Sequence, residues 1–213
     1  MPKGARPSEQ TPWVYALLWG GGLAVYKTVF RMRVLGVENV PREGGVVLAS
    51  IHRSNFDTFL VGVPPRWRKL RPMAKVELYR NPAMAWLLRH VGAFPVRRGE
   101  GDREAIATAI RILRGGGTVA MYPEGTRNRD GVAKVHSGAA RLALSTHAAF
   151  VPVAITGTDQ VRLWPPRIPR FQVAYGPPIR LDDLRDLDSK SAADVATERW
   201  KDAVTGLLAS LET

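Results

Sequence analysis

The chain has 213 residues, 45% of them hydrophobic, a length that supports one sizeable core rather than several. It holds no cysteine, which excludes disulfides, thiol nucleophiles and thiolate metal sites and leaves four histidines as the main proton carriers near neutral pH. Thirty-one Lys and Arg against nineteen Asp and Glu give a formal charge of +12, which calls for an anionic partner.

The first element, Thr11 to Phe30, carries no charge from Thr11 to Tyr26, but Gly20-Gly21-Gly22 interrupts its middle and Lys27 its end. A membrane-spanning helix needs about 20 apolar residues, so this stretch is borderline. Trp13, Tyr15, Trp19 and Tyr26 suit the headgroup zone. The expectation is an interfacial, membrane-associating helix within an N-terminal segment of residues 1–33, followed by one domain over 34–213, with a plain core helix as the alternative.

Beyond residue 33, short β-rich runs alternate with helical ones: "RVLGV", "GVVLAS", "LRPMAK", "AFPVRR", "TVAMYP", "FVPVAI" and "FQVAYG". This predicts an α/β fold, a mixed and mainly parallel sheet flanked by helices. Asp102 is the expected N-cap of a helix with Ile106, Ile110 and Leu113 on its stripe, ended by Gly115-Gly116-Gly117. The flanking strands then pair in parallel. A last helix is expected to begin near Ser191, with Val195, Trp200, Val204, Leu207, Leu208 and Leu211 inward. "VPPRWRKLRP" and "LWPPRIPR" are expected as loops or strand edges, because proline donates no ladder hydrogen bond. Basic clusters at Arg66, Arg68, Lys69 and Arg71, at Arg97 and Arg98, and at Arg162, Arg167 and Arg170 are interrupted by Pro and Trp and carry no nucleic-acid-binding motif. An anionic membrane surface is therefore the expected partner and nucleic acid is not, while a solvated basic face accounts for any one cluster alone.

Two stretches carry chemistry. In "IHRSNFD" an apolar strand ends at Ser50 and a helix is expected with Ser54 at its N-cap and Asp57 at its third position. The bend brings Asp57 back to His52 at the carboxyl edge of a strand, where α/β sheets place ligands. A carboxylate on one ring nitrogen leaves the other free to take a proton, a general base for a hydroxyl. A helix cap beside an incidental histidine is the alternative. In "MYPEGTR", Gly125 permits close backbone approach, Glu124 accepts hydrogen bonds from hydroxyls, and Arg127 offers a planar fork to a phosphate. A surface turn with a Glu–Arg pair explains the same residues.

With Gly92 to Arg98 and Val151-Pro152-Val153, these stretches stand in the order and separation of the glycerophospholipid acyltransferase family, which the chain resembles from about Arg33 to Gly157. His52 and Asp57 match its His-x4-Asp motif, and Pro123 to Arg127 its Pro-Glu-Gly-Thr-Arg block. The resemblance implies an O-acyltransferase of phospholipid synthesis. It would move a fatty acyl group from an acyl thioester, acyl-CoA or acyl carrier protein, to a hydroxyl of a glycerol phosphate or lysophospholipid acceptor such as lysophosphatidate. It further implies direct attack with His52 as base and Asp57 as its orienter, and an acceptor held by Arg98, Glu124, Gly125, Thr126 and Arg127. No metal and no cofactor beyond the thioester co-substrate are implied, and the place of action is the cytoplasmic face of the cell membrane. The competing readings are the same chemistry on an ornithine lipid or glycolipid, and a non-catalytic basic protein that binds anionic lipid.

Overall fold

A computed structural model describes residues 12–54, 56–62, 65, 67–97, 101–125, 135–162, 164 and 167–212. Strands form in all seven expected runs: β1 (Arg33–Leu35), β2 (Val46–Ser50), β3 (Leu70–Lys75), β4 (Phe94–Val96), β5 (Thr118–Met121), β6 (Ala149–Thr156) and β7 (Gln172–Tyr175). They make one sheet in the order β1-β7-β6-β2-β5-β3-β4, parallel at every junction except that between β6 and β7. All five residues of the central β2 are buried, as a strand covered on both faces requires. Val46 and Leu48 join Val151, Val153 and Ile155 on one side of the sheet, and Val47 and Ala49 join Phe150 on the other.

Helices α1 (Pro12–Thr28), α2 (Asp57–Gly62) and α3 (Pro82–His90) cover the Leu48 side, contributing Trp19, Leu23, Tyr26, Leu60, Val61 and Leu87. The Val47 side is covered by α4 (Arg103–Arg114), α5 (Gly138–Thr146) and α6 (Ser189–Glu212). There the fully buried Trp200 of α6 donates its indole N–H to Ala49 O of β2 at 2.9 Å. This bond ties the longest helix to the strand that leads into His52.

Local expectations shift in several places. The glycine triplet does not break α1, which runs 17 residues through it. Its cost, about 1 kcal/mol per glycine, is offset by burial of Val14, Trp19, Leu23 and Tyr26 along the inner face. Leu17 and Val25 on the helix and Val29 just past its end are exposed, yet no helix among the described residues is long and apolar enough to cross a membrane. In α4, Asp102 does cap, accepting from the Glu104 and Ala105 N–H groups, but Ala105, Ala109 and Leu113 form the buried stripe and Ile106 is exposed. Small alanines let the helix lie close to the sheet, so the inward face sits one residue away from the bulkier pattern.

α6 begins at Ser189 rather than near Ser191, because Asp188 accepts from the Lys190 and Ser191 N–H groups; Val195 is exposed. β4 and β5 are parallel but not neighbours, since β3 lies between them. Pro72, expected in a loop or at an edge, sits within this inner β3, one residue before its pairing with β4 begins at Met73.

Arg68, read as part of a surface basic cluster, is buried and structural. Its guanidinium donates to Pro41 O at 2.7 Å, Gly44 O at 2.6 Å and Gly116 O at 2.8 Å. Gly44 and Gly116 lie just before β2 and β5, so Arg68 clamps the amino edge of the sheet, opposite the carboxyl edge that carries His52.

Candidate active site

β2 ends at Ser50, and the chain turns through His52 and Arg53 before α2 begins at Asp57. Asp57 is thus the first helical residue, not the third. Its carboxylate organises the turn: Oδ2 accepts from the Arg53 N–H at 2.6 Å and the Ser54 N–H at 2.7 Å, and lies 3.0 Å from His52 Nδ1. Three contacts on one oxygen hold the bend before any helical bond forms. Ser54 caps only weakly, its Oγ lying 3.5 Å from the Phe56 N. Asp57 is fully buried, and the His52 ring is 9% exposed. A buried carboxylate bonded to Nδ1 selects the tautomer that carries its hydrogen there and leaves Nε2 as the basic nitrogen.

A second carboxylate fixes the backbone of the same histidine. Glu124, also buried, accepts the His52 N–H on Oε2 at 3.0 Å. It comes from the turn after β5, next to β2 in the sheet, where Ala49 is level with Met121. That turn closes through Gly125 N–H to Tyr122 O at 2.9 Å. Gly125 has φ +68°, and a Cβ there would approach the His136 ring to 3.3 Å, so both conformation and space ask for glycine.

Tyr122, within the "MYPEGTR" stretch, stacks on the His52 ring with centroids 4.2 Å apart and donates its hydroxyl to Thr58 Oγ1 at 3.1 Å. The imidazole is thereby held at its edge by Asp57 and on its face by Tyr122. From the other side, Tyr26 of α1 donates its hydroxyl to Phe56 O at 3.3 Å. Burial pushes this phenol well above its usual pKa, and the nearby Asp57 carboxylate pushes it further, so it stays a neutral donor. Phe30, Phe56 and Phe171 pack around it, Phe30 and Phe171 stacked 4.1 Å apart. Tyr175 of β7 donates to Val61 O at 2.8 Å at the far end of α2.

Among the residues expected at the site, His52, Asp57 and Glu124 meet through direct contacts, and Gly125 completes the turn beside them. Arg98, Thr126 and Arg127 lie outside the described residues. Arg97 is tied at its backbone, its N–H donating to Asp102 Oδ2 at 2.9 Å. Among the described residues no group of three His, Asp or Glu side chains could hold a metal ion. Tyr26 and Tyr175 were not legible as site residues, because nothing local marks a tyrosine that will reach a carbonyl some 30 or 114 residues away. Tyr122 had a signal, its place just ahead of Pro123 and Glu124.

Comparison with known proteins gives the family. Residues 31–156 match the model of the family described as Acyltransferase. A 1-acyl-sn-glycerol-3-phosphate acyltransferase of Bacillus subtilis is 30% identical over 168 residues, 78% of this chain and 83% of that protein. One from Streptococcus pneumoniae is 28% identical over 151 residues, 70% of this chain but only 56% of the relative's own length. The crystal structure of the 1-acyl-sn-glycerophosphate acyltransferase PlsC of Thermotoga maritima shares the fold, with a TM-score of 0.72 and 24% identity across 93% of this chain and 81% of that one. With a family model spanning both the His52 turn and the Glu124 turn, the chain belongs to the acyltransferase family of enzymes.

Proposed function

We propose that this enzyme acylates the free hydroxyl of a 1-acylglycerol 3-phosphate, taking the acyl group from a coenzyme A or acyl-carrier-protein thioester, at the cytoplasmic face of the cell membrane. The observation that carries the reading is the His52–Asp57 contact of 3.0 Å beneath a fully buried carboxylate. His52 Nε2 takes the hydroxyl proton as the oxygen attacks the thioester carbonyl; the tetrahedral intermediate collapses with cleavage of the C–S bond, and the imidazolium returns the proton to the leaving thiolate. The products are the ester and the free thiol, with no acyl-enzyme. Asp57 keeps the ring oriented and stabilises its charged form.

The oxyanion is served from outside the turn, because the His52, Arg53 and Ser54 N–H groups already donate to Glu124 and Asp57. Arg98 and Arg127, with Thr126, are the residues proposed to hold the acceptor phosphate, and Gly125 closes the described turn after β5. Glu124 acts as the brace of the His52 backbone as well as a lining group. The relatives named as 1-acyl-sn-glycerol-3-phosphate acyltransferases support this acceptor. Attachment to the membrane is supported by the apolar outer face of α1 and by the formal charge of +12, two weak attractions that add.

The test is mass spectrometry of products formed in liposomes from mixed acyl thioesters and a panel of lyso-acceptors. Phosphatidate from lysophosphatidate is the expected product. Acylation of an ornithine lipid or glycolipid with lysophosphatidate untouched would replace the acceptor, and salt-sensitive lipid binding without any transfer would overturn the enzymatic reading.

A further inference from the structure

On the other side of His52 from the Glu124 turn, a pocket of about 360 Å³ opens where β6 ends. Thr156 and Gly157 line it together with Arg53, Arg167 and Arg170, which come from two separate segments of chain. The parallel register sets Ser50 of β2 level with Val153 of β6, so Arg53 and Thr156 both stand three residues further along. The pocket is therefore on the same carboxyl edge as His52, and Arg53 is joined to His52 by a single peptide bond.

The charge of this pocket is not neutralised by its surroundings. Arg167 donates to the Gln160 amide oxygen at 3.0 Å and Arg170 to the Arg31 carbonyl at 3.3 Å, both neutral partners. None of the three arginines makes an ion pair among the described residues. Glu212 is the one acidic side chain that lines the pocket, so the lining is two charges positive. Guanidinium groups converging on one concavity without carboxylate partners repel one another until an anion enters, and planar forks of this kind suit phosphate oxygens.

We propose that this pocket binds the phosphate of the acyl donor, the phosphate-bearing end of a coenzyme A or phosphopantetheine thioester. The inference rests on the acyl-transfer reading given above. In the tetrahedral intermediate the attacking oxygen and the leaving sulfur occupy different corners of one carbon, so the chains they carry diverge. With the acceptor taken up at the Glu124–Gly125 turn that follows β5, the thiol's carrier leads toward the β6 side, where this pocket lies. The donor phosphate, held in this pocket, then approaches the imidazole from the side away from the Glu124 turn.

The experiment compares wild type with Arg167→Gln, Arg170→Gln and the double variant, all three at exposed positions. The donor KM for acyl-CoA is expected to rise roughly 10- to 100-fold in the double variant, as loss of charge-assisted hydrogen bonds implies, with the lysophosphatidate KM unchanged. With a phosphate-free N-acetylcysteamine thioester as donor, variant and wild type should have equal kcat/KM. Desulfo-coenzyme A should raise the melting temperature of the wild type and not that of the double variant, a readout that needs no turnover. A rise in the acceptor KM alone would give the pocket to the acceptor, and weaker binding to anionic vesicles with an unchanged donor KM would give it to a lipid headgroup; either overturns the proposal. Desulfo-coenzyme A binding that depends on these arginines in a protein without transferase activity would sink the acyl-transfer reading and leave the phosphate site standing.

Discussion

His52 is held at three points by three kinds of contact: Asp57 at Nδ1, Glu124 at the backbone N–H and Tyr122 on the ring face. Removing the ring tests the base, and His52→Ala should lower kcat by roughly 10²- to 10⁴-fold while circular dichroism shows an intact fold. In Asp57→Asn the amide keeps an oxygen for the Arg53 and Ser54 N–H groups but loses the charge that stabilises an imidazolium. Its kcat should fall by about 10²-fold or more with KM little changed, and wild-type turnover would reduce Asp57 to a helix cap. Glu124 separates two duties by a pair of substitutions. Gln still accepts the His52 N–H, so Glu124→Gln should keep much of the rate if the brace is what matters, whereas Glu124→Ala leaves a buried N–H without its partner and should lose both rate and about 1–3 kcal/mol of stability in urea unfolding. Equal rates for the two variants would leave the brace without kinetic weight.

Among the elements, the clamp at the amino edge is the clearest case of sequence character misleading. Arg68 stands in a run of basic residues and looks like surface charge, but it is buried and bonded to three carbonyls. Arg68→Met should cost about 1–3 kcal/mol in denaturant unfolding, because three charge-assisted bonds that join the loops before β2 and β5 are lost, and should leave the KM for both substrates as it was. What the chain discloses follows from how local each feature is. The strands were legible because parallel, doubly covered strands are continuous apolar runs, as in "GVVLAS". The His52 and Asp57 pair was legible because five positions across one bend is a local relation. The inward face of α4 was not, since alanines at 105 and 109 pack without advertising themselves beside Ile106 and Ile110. Nor were Tyr26, Trp200 or the pocket of Arg53, Arg167 and Arg170, each of which depends on segments that meet only after folding.

For the whole molecule, the sheet separates a side covered by α4, α5 and α6 from a side on which α1 presents Leu17, 66% exposed, and Val25, with exposed Val29 just past its end. Exposed Trp86 and Met84 of α3 belong to the same side of the sheet. Leu17→Glu with Val25→Glu removes apolar area without touching the buried stripe of Val14, Trp19, Leu23 and Tyr26. Flotation with anionic liposomes should show partitioning reduced at least tenfold, and raising the salt concentration should weaken the remaining attachment. Unchanged flotation would transfer the membrane contact to another surface.

The hydroxyl of Tyr26 reaching Phe56 O has a practical corollary for anyone preparing this enzyme. Trimming the greasy leading helix to obtain a detergent-free reagent also takes away the phenol and the ring contacts that shelter the corner next to Asp57. A shortened protein can thus stay in solution and still be a poor catalyst, and its low turnover would reflect a loosened corner rather than the want of a bilayer.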